Sequence, residues 1–479
     1  MIPGNPQDGP GRGSLRLLAV LCILGVGIRL AFLLLAGELE LQSDEANYVY
    51  LALTWEYFGF YSDSYRYLWP PGYPFVLGLF LRAFDADGIF YIKLAQVLAS
   101  ASVGWFTMLF ARRLFGQRAA VLAGIIWCVY LPLIGFTHYL WTETFFLALF
   151  LPSIYLVLLT MQDDGADAGS RRESLRLLCA GVLFGLCLYL KEVHLYLAPV
   201  LGLLLWLRAR MGGLRRGSLF LLAITVVVAP WTLRNYEVYG RFLPIGASLG
   251  ENCFLGLNAP YKNFDTSPFA RHRFDRELPR PREWFVANDG VGEWQRAETI
   301  TNTADKLAMG VELGMGFVRT HPGWFVRSRI KKLADLALPS CFFVRHQGLE
   351  HYADGRLGTP LVRRTLTLAS IGLSALVMLF GLAGLWSAVE DRSARWLLTT
   401  VTLYFVSTAS IVAMSRFRIP FIPFLIALGA GLLTGHLRQG SRRRRTLALL
   451  GVGGLLSVLW WIDWPELSGV IDMAWESST

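Results

Sequence analysis

Charge is scarce in this sequence. Only 17% of its 479 residues are Asp, Glu, Lys or Arg, against 54% hydrophobic, and the mean hydropathy is +0.44. So little charge excludes an ordinary soluble protein of this length. There is no Gly-rich loop followed by Lys and Ser or Thr, which leaves a soluble nucleotide-sugar or ATP site without support. No internal repeat of fixed period is visible. Among seven His and six Cys, no cluster has zinc spacing. Cys22, Cys128, Cys179 and Cys187 fall inside apolar segments and read as small core residues. Cys253 and Cys341 share the one long polar region, where pairing and two free thiols both stay open.

What the chain has instead is apolar runs, several of them near the ~18–20 residues that span a bilayer. We read an all-α polytopic membrane protein with about eleven spanning helices, near 15–36, 89–110, 119–136, 145–161, 175–190, 193–208, 218–233, 365–389, 396–413, 417–435 and 446–461. The first run lacks a small-residue cleavage site and is expected to be a retained helix. The run 73–84 is too short to cross and is expected to lie on or dip into the interface. Nineteen Lys and Arg fall in the N-terminal flank and the short connections on one side, including 442–445, against six in the short connections on the other. That bias puts the N-terminus in the cytoplasm, and the net charge of +10 then reads as a topology signal rather than a nucleic-acid site.

The outward segments follow. The chain divides into an N-terminal membrane module, 1–233, with its outer loop 37–88; a loop, 234–364; C-terminal membrane helices, 365–461; and an outer tail, 462–479. The long loop carries apolar and aromatic residues throughout and two helical stretches, 298–319 and 322–338, the second opening on Pro322, so it should be an ordered extracytoplasmic cap.

Candidate chemistry gathers in these outward pieces. Asp44 and Glu45 stand just past the first membrane helix, and Asp44, Tyr48, Leu51, Trp55 and Phe58 fall on one face of a helix. Ser43 could cap that helix with the acids complementing its dipole. The setting equally suits a general base or a metal ligand. In the next hairpin Thr142 could cap a helix with Glu143 in its first turn; alternatively Glu143 and His138 join Asp44 around one site. Lys191, Arg234, Arg241, Arg416 and Arg418 break the charge bias. Snorkelling to headgroups is one account, and an anionic ligand is the other. Arg29 lies inside the first apolar helix and is expected to face the bundle and pair with a polar group.

The acidic pair, the run Pro70, Pro71, Gly72, Tyr73 and Pro74, the Thr142 and Glu143 hairpin, Pro230 and Trp231 with Arg234, Asn235, Tyr236, Gly240 and Arg241, and Arg416 and Arg418 with Pro420 and Pro423 resemble the polyprenyl-phosphate-sugar-dependent class C glycosyltransferases (GT-C fold). The likeness runs in order over 15–435, and points to the bacterial protein O-mannosyltransferase-like and lipid A aminoarabinose transferase families. It implies a multi-pass enzyme of the cytoplasmic (inner) membrane, with its site on the extracytoplasmic side. That enzyme would take a sugar from a polyprenyl-phosphate donor to a lipid, glycan or protein acceptor. By position Asp44 would be the catalytic base and Glu143 a second site acid, with Lys191, Arg234, Arg241, Arg416 and Arg418 as candidates for the carrier phosphate. Glu45 and His138 would support the site or hold a divalent metal, and Tyr48 and Tyr73 would line the substrate groove. No cofactor is assigned. A transporter or flippase of lipid-linked sugars is the alternative, as is a non-catalytic subunit of the same fold; most unusual charges lie at the outer boundary rather than mid-membrane, which favours the enzyme.

Overall fold

The computed structural model describes residues 12–37, 39, 41, 44–58, 69–163, 169–208, 212–246, 253, 302–320, 322–348, 352, 355–409, 411, 415–435 and 439–476. Among these there is no strand. The helices are α1 (Arg12–Leu35), α2 (Asp44–Phe58), α3 (Gly72–Phe84), α4 (Gly88–Phe115), α5 (Gln117–Val129), α6 (Leu131–Gly135), α7 (Glu143–Gln162), α8 (Arg171–Leu188), α9 (Leu197–Arg208) and α10 (Gly213–Tyr239). Beyond the loop come α11 (Thr303–Thr320), α12 (Pro322–Ala337), α13 (Phe342–Gly348), α14 (Pro360–Ser387), α15 (Arg392–Ala409), α16 (Ile422–Thr434), α17 (Gln439–Ile462) and α18 (Trp464–Glu476).

Helix falls within each of the eleven expected runs, but among the described residues those at 119–136, 175–190, 193–208 and 396–413 do not have the length and apolarity of a span, so eleven spans are not confirmed. Seven stretches among the described residues are long and apolar enough to cross a membrane: Gly13–Leu35, Gly72–Phe115, Glu143–Gln162, Gly213–Tyr239, Pro360–Ser387, Arg416–Thr434 and Arg442–Ile462. The 119–136 run breaks at Tyr130, whose ψ of 94° leaves the helical region just before Pro132. Pro420 and Pro423 likewise keep the start of the 417–435 run in a 3-10 turn, Ser415–Phe421. The run 73–84 forms α3, joined to α4 through a 3-10 turn, Asp85–Asp87. Of the loop, 247–252 and 254–301 lie outside the described residues, as does Ser43. All six cysteines are free thiols, so Cys253 and Cys341 are not joined.

Local sequence explains several joints. Ser170 Oγ accepts from Glu173 N at 3.0 Å while Glu173 Oε2 accepts from Gly169 N at 2.9 Å, a reciprocal cap that starts α8. Where α14 meets α16, a Cβ added at Gly381 or Gly384 would fall 2.7 or 2.4 Å from the Leu425 or Leu428 carbonyl oxygen, so only glycine permits that approach.

A buried polar seam then sets one end of the bundle. Arg29 donates to the Gly25 and Trp127 carbonyls, each at 3.0 Å, and lies 4.0 Å over the Trp127 ring. Its expected polar partner is thus backbone, with a cation-π contact added. Tyr73 Oη donates to Gln96 Oε1 at 2.9 Å, and Gln96 Nε2 donates to the Thr137 and Tyr139 carbonyls at 3.2 and 2.8 Å. Side chains from α3 and α4 therefore fix the hairpin that ends in Glu143.

Candidate active site

Four segments far apart in sequence meet at one end of the bundle. Asp44 opens α2 and Glu143 opens α7, each in a first turn where the helix dipole favours an acid. Lys191 sits in the turn after α8 and Arg416 in the 3-10 turn before α16. Glu143 Oε1 accepts from Lys191 Nζ at 2.7 Å, and Asp44 Oδ2 accepts from Arg416 Nη1. Side-chain exposures are 2% and 13% in the first pair and 15% and 19% in the second, so both pairs are poorly screened. Helix capping alone does not describe either acid, because each also holds a cation. Burial pushes Lys191 below the ordinary lysine value; Glu143 opposes the shift and Arg416 adds to it.

Glu143, Lys191 and Arg416 line a cavity of about 570 Å³, together with Tyr48, Trp69, Trp141 and His194. Asp44 is not in that lining and reaches the cavity through Arg416. A second, apolar groove of about 1000 Å³ runs beside it between Trp55, Phe75, Phe145 and Trp231, with Arg234 among its walls. Leu190 belongs to both.

The remaining expected residues lie elsewhere. Glu45 is buried, and its Oε1 accepts from Leu140 N at 2.7 Å, which ties α2 to the Glu143 hairpin. His138 is also buried, with Nε2 3.3 Å from the Arg29 carbonyl oxygen; burial lowers its pKa to about 3, so it is neutral and outside the cavity lining. Tyr73 packs edge-on behind Tyr48, ring centroids 4.9 Å apart, with its hydroxyl committed to Gln96, and lines neither cavity. Arg241 is 63% exposed and pairs with Asp305 at 3.2 Å. Arg418 is 1% exposed and spends its guanidinium on the carbonyls of Leu336, Leu338 and Ser340. The structure therefore does not bring Arg241 and Arg418 together with Arg416: one faces solvent and the other faces a helix end.

Residues 69–233 match the family model described as dolichyl-phosphate-mannose-protein mannosyltransferase. No curated protein matches the chain. Among solved structures, the archaeal oligosaccharyltransferase AglB from Archaeoglobus fulgidus, in complex with an inhibitory peptide and a dolichol-phosphate, aligns with a TM-score of 0.52 at 14% identity, over 97% of this chain and 56% of its own. The same enzyme in complex with zinc and sulfate gives 0.50 at 13% identity, over 96% and 53%. ArnT from Cupriavidus metallidurans, bound to undecaprenyl phosphate, gives a looser 0.38 at 16% identity, over 88% and 78%. The fold is that of the class C glycosyltransferases. This chain spans little more than half the length of the archaeal enzyme.

Within this class C fold the described residues do not suit a divalent cation. No group of three or more His, Cys, Asp or Glu among them could hold a metal ion, and Glu143 in the cavity lining and Asp44 behind Arg416 are each held by a cation side chain. Two features escaped the sequence reading. His194 lines the cavity from the Lys191 turn, with neither ring nitrogen partnered and with Phe146 and Phe405 rings 4.6 and 5.0 Å away. Its nearness to Lys191 was the available signal. Secondly, Asn235 Nδ2 donates to the Leu243 and Ile245 carbonyls, Trp231 Nε1 to Ile245 and Thr232 Oγ1 to Pro244, all within 2.9–3.0 Å. These bonds pin residues 243–245 as one cavity wall. The motif around Arg234 thus builds the site as well as carrying an arginine.

Proposed function

We propose that this protein is a membrane glycosyltransferase that moves a hexosyl or pentosyl group from a polyprenyl-phosphate carrier to a lipid, glycan or protein acceptor on the outer face of the cytoplasmic membrane, with inversion. The observation that carries this reading is the pairing of two acids with two cations around one cavity that shares Leu190 with an apolar groove holding Arg234. The description of the matched family and the dolichol-phosphate and peptide in the archaeal structure support it. The Lys and Arg bias of the connections supports the orientation. The division into a membrane module at 1–233, a cap at 234–364, C-terminal helices at 365–461 and a tail belongs to the same proposal.

The carrier tail lies in the apolar groove, and its phosphate reaches Arg234, Lys191 and Arg416. Arg416 exchanges the Asp44 carboxylate for the phosphate, an alternative bidentate partner. Asp44, released, accepts the proton of an acceptor hydroxyl or amine. The freed nucleophile attacks the anomeric carbon opposite the phosphate. The bond from that carbon to the phosphate oxygen breaks, and the leaving group departs with the electron pair, its charge held by Lys191 and Arg416. Glu143 keeps Lys191 aimed into the cavity.

The test is transfer from labelled polyprenyl-phosphate sugar in proteoliposomes supplied with cell-envelope acceptors, with products read by mass spectrometry. Wild type should form a covalent glycoside of inverted configuration, and Asp44→Asn, which keeps a good residue at the helix start, should not. An active Asp44→Asn overturns the base assignment. Sugar-lipid movement without a covalent product favours a transporter, and a retained configuration overturns inversion.

A further inference from the structure

The 3-10 turn Ser415–Phe421 carries two arginines that serve different masters. With three residues per turn, positions 416 and 418 cannot face the same way. Arg416 reaches Asp44. Arg418 donates from Nη1 to the Leu336 carbonyl at 3.2 Å and to that of Leu338, and from Nη2 to that of Ser340. These carbonyls close the C-terminal end of α12, where a helix leaves acceptors unpaired and where a cation complements the dipole. The neighbouring Ala337 carbonyl accepts from Trp460 Nε1 of α17 at 2.7 Å. On the other side of the turn, Lys332 Nζ of α12 donates to the Ile411 carbonyl at 2.5 Å. One cap helix therefore grips the chain both before and after the residue that holds Asp44.

We propose that Arg418 is a positioning residue that couples the seating of α12 to the grip of Arg416 on Asp44. A buried guanidinium held by carbonyls carries a desolvation cost that a neutral donor would avoid. What the arginine adds is three bonds from one rigid fork, which fix the turn against the helix end in one orientation. Movement of α12 is then transmitted to Arg416 two residues away, and from there to the first turn of α2. The catalytic consequence rests on the proposed reading of the cavity, while the mechanical coupling does not.

Hydrogen exchange on the full-length protein in detergent separates the two. In Arg418→Gln, amides at 334–340 and 415–421 should exchange about tenfold faster, the scale of one lost charge-assisted bond, and so should those at 44–48. Arg416→Gln should speed exchange at 44–48 by the same factor, and the double variant should add nothing there. Arg418→Lys, which keeps the charge and fewer donors, should fall between wild type and Arg418→Gln, and it serves if the glutamine variant fails to fold. Trp460→Phe loosens the same helix end without touching the turn, so it should speed exchange at 44–48 while Arg418 is intact and add nothing there in the Arg418→Gln background. Exchange at 44–48 that is unchanged in the Arg418 variants, or that Trp460→Phe raises by the same factor with and without Arg418, overturns the coupling. Undecaprenyl phosphate binding is the second readout: Arg416→Gln and Arg418→Gln should weaken it by similar factors that do not multiply in the double variant, and factors that do multiply count against the coupling. If the wild-type protein does not bind undecaprenyl phosphate, the donor reading fails while the exchange result still decides the coupling.

Discussion

Lys191 Nζ and Glu143 Oε1 stand 2.7 Å apart although their residues are 48 positions apart in sequence, one in a turn and the other at a helix start. With Glu143 almost fully buried, removing either partner strands a charge. Glu143→Gln or Lys191→Met should each cost about 3–5 kcal/mol of stability, and the double variant should cost less than the sum. Thermal unfolding of the four proteins in one detergent checks this. Additive losses would mean that the two groups act independently.

The same burial gives a pH signature. Lys191 is displaced below 10.5, and its protonated form is the one that can hold a phosphate. Protonation, and with it activity, is therefore lost as pH rises through a value below that of free lysine. The alkaline limb of kcat/KM should lie under 10.5, and Lys191→Arg should move it to higher pH because arginine does not titrate there. A limb unmoved by the substitution would assign it to another group.

The apolar runs and their charge bias made the helices legible, and the cations at Lys191 and Arg416 stood out because they break that bias. What each cation touches was not legible. Arg416 and Arg418 are alike in local sequence, and only the turn geometry sends one to Asp44 and the other to carbonyls. Arg241 also breaks the bias, yet its partner is an exposed Asp305, a contact made by tertiary placement of α11. Asn235 and Thr232 bond to carbonyls 8 to 12 residues on, which no periodicity announces. Spans were read from apolar length alone, and so the breaks at Tyr130 and Pro420 were passed over.

Arg234 and Arg241 should separate cleanly. Arg234 lies among the groove walls, 4.9 Å over the Trp231 ring, whereas Arg241 is a surface residue. Arg234→Ala should weaken binding of a polyprenyl phosphate by about tenfold or more, the loss of a charge-assisted contact. Arg241→Ala should change binding and stability by less than about 1 kcal/mol. Titration of both variants with undecaprenyl phosphate checks the order, and equal losses would remove the groove from the donor site.

Lys332 offers a test of how α12 is buried. Burial, helped by Arg329 and opposed by Asp335, lowers its pKa to about 7. Lys331 on the same helix is already bonded to Asp463. In the unfolded chain Lys332 titrates near the free-lysine value of about 10.4, so between the two values the unfolded state binds the extra proton and stability rises with pH. Below about 7 both states are protonated and the full penalty of charging a buried amine remains. Lys332→Met removes that titration at the loss of one bond to Ile411. The wild-type melting temperature should climb from pH 7 towards 10 relative to that of Lys332→Met, and the two should run parallel below pH 7. A constant offset across the whole range would show that Lys332 stays charged, and that α12 sits on a wetter surface than its burial indicates.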